Sequence, residues 1–333
     1  MKKLPFSLIP ALVVIAILVP LLYKTSVFGA ATTGPAQAVP LRLPLALQWL
    51  TVVTAFIIKP LYMALSLLLA WFLRRRRASD LSALKWAMVF FFAGELSCAV
   101  NYLFFSERSW PAEYLHMLGM VLAFSFIVLA VAEFFDERIV HFSAIDRNCA
   151  LLAACGKCYK SADVACRLRL VFMFVLPCLL LLCAMPLLVP LCPLVQETAI
   201  LNTPYTYAHP VIYQFFETRL APLATALFLL AALLLMLLRR ERSWMSAKLL
   251  FAAGAGFLSF TFFRLVLFSL FRDNLAWFVI WEEWTELLFV AMAWLFLLVF
   301  RQRPLLVSPS ERPLGGQDGC VRPPGGLLAA PLA

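Results

Sequence analysis

The chain has 333 residues, 64% of them hydrophobic, with a formal net charge of +10 and a mean hydropathy of +0.91. Soluble domains average about half apolar residues, so this composition excludes an ordinary globular enzyme and points to a lipid bilayer. The basic excess is no sign of nucleic acid, because the cations sit at the ends of apolar runs.

Chain order gives eight candidate spans, at 5–23, 46–73, 82–105, 112–135, 168–190, 211–238, 246–271 and 275–300. Each approaches the ~20 apolar residues that a crossing needs. Each is expected to be a helix, since backbone polar groups in lipid must be satisfied within the segment. The fold class expected is therefore an all-α polytopic integral membrane protein. Its divisions are 1–138 and 168–303 as two membrane repeats, 139–167 as a connector and 304–333 as a disordered tail rich in Pro and Gly.

Lys2, Lys3, Arg74–Arg77, Lys85, the 138–169 segment, Arg239, Arg240, Arg242, Lys248, Arg301 and Arg303 all fall on one face of the eight-span arrangement. The positive-inside rule makes that face cytosolic and places both termini there; the membrane expected is an inner membrane of bacterial type. Met1-Lys2-Lys3 followed by an apolar run and small residues at 26–31 also fits a cleaved signal peptide. The internal repeat favours a retained helix.

That repeat has a period of roughly 165 residues, the kind of self-similarity that marks a duplicated unit. Lys59-Pro60 with its apolar run and Arg74–Arg77 matches Ala221-Pro222 with its run and Arg239-Arg240-Glu241-Arg242. Ala93-Gly94-Glu95-Leu96-Ser97 matches Ala255-Gly256-Phe257-Leu258-Ser259, and Pro10 and Pro20 match Pro177 and Pro186. An even number of spans per unit makes the halves parallel. Transporters built from repeats place substrate near the midplane between them, and quinone-handling membrane subunits also combine helix bundles.

The connector carries Cys149, Cys155, Cys158 and Cys166 in a Cys-x5-Cys-x2-Cys-x7-Cys pattern. Tetrahedral thiolate sites suit an iron–sulfur cluster or zinc. The pattern matches neither the paired zinc spacing nor the ferredoxin spacings, and its irregularity favours the larger cage of an iron–sulfur cluster, with zinc the alternative. Arg147, Lys157, Lys160, Arg167 and Arg169 would stabilise the thiolates. Ordinary reduced thiols are the plain alternative, and that is the reading for Cys98, Cys178 and Cys183 inside spans.

Ionisable residues inside spans mark functional sites by default. Arg264 lies in the seventh span, and Glu282, Glu283 and Glu286 lie in the eighth. The two helices are joined at 272–274, so Arg264 falls at the depth of Glu282 or Glu283, ~10 Å below the outer surface at 1.5 Å per residue. In the first half Glu95, Asn101 and His116 occupy comparable depths. Lys59 lines a kink or snorkels. The plain alternative is that these charges only clamp helices together.

His116, His141 and His209 make no axial pair for a haem, and the chain has no phosphate-binding glycine loop and no HExxH. Three functions remain. The first is a redox component with the cysteine cluster facing a cytosolic redox partner or larger membrane complex and a quinone or proton site among the helices. The second is a proton-coupled transporter with a structural metal clip. The third is a non-catalytic scaffold or assembly factor.

Overall fold

The computed structural model describes residues 43–105, 109–140, 167–188, 191, 194–237, 243–271 and 274–301. The expected first span, the cysteine quartet 149–166 and the 304–333 tail lie outside the described residues. Helices α1 (Leu45–Leu73), α2 (Ser79–Phe105) and α3 (Trp110–Val140) form the first group. After α4 (Arg167–Leu182) come a short 3-10 turn at Met185–Leu188 and the strands β1 (Leu194–Ile200) and β2 (Thr203–His209). Helices α5 (Val211–Leu237), α6 (Ser243–Leu270) and α7 (Leu275–Arg301) complete the chain.

Six of these helices are long and apolar enough to cross a membrane, and they are the expected spans two to four and six to eight. The expected fifth span is different. Pro177 lies inside α4, and the helix has stopped by Leu182, ahead of Pro186 in the 3-10 turn. Proline removes a helical donor and clashes with the preceding turn, and the described part of α4 is shorter than the ~30 Å of hydrocarbon that a crossing needs.

Large apolar side chains face outward along the bundle, among them Phe56, Trp71, Leu103, Leu227, Leu288 and Leu298, while Glu95, Arg264 and Glu286 are buried. Apolar exposure on this scale requires lipid rather than water around the protein.

Two helices share one distortion. In α1 a π turn at Thr54–Ile58 precedes Lys59-Pro60, and in α5 a π turn at Phe216–Leu220 precedes Ala221-Pro222. The wider turn spares the carbonyl four residues before each proline from the pyrrolidine ring. It also sets the direction in which Lys59 leaves the helix.

Helix α3 is the centre of the bundle, in contact with both α2 and α6. It meets α2 where Gly94 faces Gly119, so closely that a Cβ on Gly119 would sit 2.6 Å from Gly94 Cα. It meets α6 at Ser125 and Gly256, where a Cβ on Gly256 would be 2.4 Å from Ser125 Cα. Helix α7 does not lie along its predecessor α6. It crosses to α1, where Trp294 Nε1 donates to the Leu65 carbonyl at 3.3 Å and its ring meets Phe72 edge-on.

The segment before α5, between the expected fifth and sixth spans, is a two-stranded antiparallel hairpin from Leu194↔His209 to Ile200↔Thr203. Leu201 and Asn202 turn it with φ of 49° and 66°, the twist that a two-residue hairpin needs. Leu194 is buried with Leu267, Phe268 and Phe278, and Gln48 Oε1 accepts from the Leu201 amide at 2.8 Å. The hairpin therefore covers the end of the bundle opposite Arg74–Arg77. Gly119→Ala should wedge α2 from α3 and lower stability by about 1–3 kcal/mol, read as an earlier unfolding midpoint in detergent.

Candidate intramembrane charge site

Lys59 and Tyr62 are three residues apart on α1, so they share a face just beyond the π turn. Lys59 Nζ lies 2.7 Å from Glu95 Oε2 on α2 and 3.0 Å from Glu283 Oε1 on α7. The Tyr62 hydroxyl is 2.8 Å from Glu95 Oε2, 2.5 Å from Glu283 Oε2 and 2.5 Å from Glu286 Oε2. His116 on α3 places Nδ1 3.3 Å from Glu95 Oε1 and 3.2 Å from the Gly94 carbonyl. The close glycine crossing of α2 and α3 is what brings that ring to Glu95.

A second lobe adjoins the first. Arg264 on α6 lies with Nε 2.8 Å from Glu217 Oε1 on α5 and donates from Nη1 to Glu282 Oε1 at 2.6 Å. His209, the last residue of β2, has Nε2 3.2 Å from Glu217 Oε2. His116, Glu282 and Glu286 offer ligand atoms within 4.8 Å of one another, which joins the lobes into one buried network.

The side chains of Glu95 and Glu217 are 0% exposed, while Lys59 and Glu282 keep 14% and 20%. The carboxylates Glu95, Glu217, Glu282, Glu283 and Glu286 outnumber Lys59 and Arg264, and still outnumber the cations when both histidines are protonated. Ions taken out of water without compensation are very costly. The surplus negative charge must be neutralised by protons or by a bound cation.

The phenol of Tyr62 imposes the same requirement locally. A phenol has one proton to donate and lone pairs to accept with. Carboxylate oxygens of Glu95, Glu283 and Glu286 all lie within hydrogen-bond distance of the single Tyr62 oxygen. One can receive the phenol proton, and the others can bond to that oxygen only by carrying protons of their own.

Three sets of side chains are close enough to share a metal ion: Glu95, Cys98 and His116; His116, Glu282 and Glu286; and Glu95, Glu283 and Glu286. Each draws on the same network. Between Glu95 and Glu283 the Lys59 ammonium already occupies the place of a cation.

Of the residues expected from sequence, Glu95, His116, Arg264, Glu282, Glu283 and Glu286 do come together. Arg264, expected at the depth of Glu282 or Glu283, pairs with Glu282, whereas Glu283 turns to Lys59. Asn101 is elsewhere: it donates to Glu113 at 3.4 Å and accepts from the Ser109 amide at 3.0 Å, tying α2 to the start of α3. Sequence reasoning missed Tyr62, Glu217 and His209 and set Lys59 aside. The i, i+3 spacing of Lys59 and Tyr62 was a usable signal.

Arg264→Ala should destabilise the fold by about 3–5 kcal/mol, because it strands a buried carboxylate. Glu282→Gln should cost less, since Glu282 is partly exposed, and denaturant titrations of the two variants would rank them. No protein-family model, no curated protein and no solved structure matches this chain.

Proposed function

We propose that the protein is a proton-coupled membrane transporter whose buried network around Tyr62 binds and releases the coupling protons. The observation that carries this reading is the convergence of Glu95, Glu283 and Glu286 on one phenol oxygen beside Lys59. Ionisable residues inside membrane helices pair with one another and mark proton relays and ion paths. This network draws on six helices and the hairpin, so motion of any of them would alter the balance of charge and change the number of protons held.

Duplication supports the same reading. The π turns before Pro60 and Pro222 occupy matched positions in the repeat, and so do Gly94 and Gly256, both of which receive α3. A seam between two repeats is where such transporters bind substrate. The arginine-rich end would be cytosolic by the positive-inside rule.

The redox reading keeps its own observation, the Cys149–Cys155–Cys158–Cys166 pattern. With an iron–sulfur cluster there, the same network would protonate a quinone. Iron and acid-labile sulfide in anaerobically purified protein, lost in Cys155→Ser with Cys158→Ser, would favour that role over transport. Zinc in their place would make the quartet a clip between the halves.

The transport reading is tested in proteoliposomes holding an entrapped pH dye, screened with small polar solutes under an imposed pH gradient. At least one solute should move together with protons, and Glu286→Gln should abolish the coupled movement. Coupled uptake that survives Glu286→Gln in a folded protein would contradict the assignment.

A further inference from the structure

A second group of ionisable residues lies at the arginine-rich end, apart from the Tyr62 network. Lys248 on α6 is 3% exposed and lies 2.8 Å from Glu133 Oε1 and 2.7 Å from Asp136 Oδ2, both on α3. Trp244 Nε1 also donates to Asp136 Oδ2, at 3.3 Å. Arg138 is 2.7 Å from Asp80 and reaches the Phe300 carbonyl of α7.

Ser79, the first residue of α2, stands between two carboxylates of different exposure. Its Oγ is 2.7 Å from Glu133 Oε2, which is buried, and 2.7 Å from Glu137 Oε1, which is exposed. One hydroxyl proton cannot serve both oxygens as a donor. The hydroxyl donates to one of them at a time, and rotation about the Ser79 Cβ–Oγ bond turns it from the exposed oxygen to the buried one, which is the arrangement of a relay. The N-terminus of α2 favours carboxylates at this point through its unpaired amides.

We propose that Glu137, Ser79 and Glu133 form a proton port through which the arginine-rich face loads the buried Glu133. In one passage the proton on Glu137 moves to Ser79 Oγ while the hydroxyl's own proton moves to Glu133 Oε2. Rotation about the Ser79 Cβ–Oγ bond restores the starting hydroxyl, and Glu137 is recharged from water. Lys248 stays beside Glu133 throughout and makes its ionised state tolerable between loadings. The charged and titratable groups of the port's surroundings are Lys248 from α6, Asp80 from α2, and Asp136 and Arg138 from α3.

The port does not run directly to the Tyr62 network. His116 and Glu133 are both on α3, about 26 Å apart at 1.5 Å per residue. Between the two polar groups lie the packed rings of Phe91, Phe124 and Phe289, with centroids 5.2 Å apart for Phe91–Phe289 and 4.9 Å for Phe124–Phe289. A layer of packed aromatic rings between two proton sites hinders a direct leak and makes passage depend on movement of the helices. Only this destination rests on the transport reading; loading of Glu133 does not.

The test is time-resolved infrared spectroscopy of the full-length protein in detergent after a pH jump, following the carbonyl stretch of protonated carboxyl groups. Glu133→Gln should remove one band that Glu286→Gln leaves intact. Ser79→Ala should slow the rise of that band about a hundredfold, at the low end of what a positioned proton donor contributes. Ser79→Thr, which keeps the hydroxyl, should restore the rate. Glu137→Gln, an exposed change, should slow it as Ser79→Ala does and covers the case in which Ser79→Ala fails to fold. A spectrum unaltered by Glu133→Gln, or a wild-type rate in both Ser79→Ala and Glu137→Gln, would overturn the port. Loss of every Glu286-dependent change with the Glu133 band intact would instead sink the transport reading and leave the port standing.

Discussion

The arrangement of the whole bundle depends on the cost of holding ions away from water. Glu95, Glu217, Glu283, Glu286 and Arg264 are buried inside a body whose outer surface is Leu, Phe and Trp. Each would be very costly alone. They are stable together because helices from both halves of the chain deliver partners to the same place. Lys59 answers Glu95 and Glu283, and Arg264 answers Glu217 and Glu282. The remaining imbalance makes the site chemically responsive, since a network that closed its own charge would have no reason to exchange protons.

Helix packing serves that requirement. Glycines at the α2–α3 and α3–α6 crossings bring backbones close enough for short side chains to meet, as expected where lipid offers no hydrophobic drive for association. Helix α7 leaves α6 to reach α1, and this carries Glu283 and Glu286 to Lys59 and Tyr62 while Glu282 stays within reach of Arg264. The i, i+3 spacing of Glu283 and Glu286 puts both on the Tyr62 side. The β-hairpin closes one end of the bundle and contributes His209 to the network. Its Tyr207 and His209 rings pack on Phe278 and Phe268 respectively.

Much of this was legible in the sequence. Apolar runs of sufficient length gave six helices close to their observed limits, and acids within those runs named most of the charge site. What failed has physical causes. The turn at Leu201-Asn202 lacks the glycine that usually announces a tight hairpin, so the hairpin was invisible. Glu217 lies early in its helix, where a charge reads as a boundary, yet the hairpin buries it. Lys59 beside Pro60 suggested a kink, but the π turn absorbs the proline and aims the ammonium inward. The Lys248 group escaped because charges at a helix end near arginines look like solvated caps. Periodicity along one chain also cannot show that α7 pairs with α1.

The most direct measurement of the central claim is the infrared spectrum of the folded protein at neutral pH, compared with the Glu283→Gln, Glu286→Gln double variant. Convergence of these carboxyl groups on a single phenol predicts a protonated-carboxyl band at neutral pH in the wild type and its absence in the variant. A wild-type spectrum with every carboxyl group ionised would contradict the account, because the surplus charge around Tyr62 would then be balanced by something other than protons.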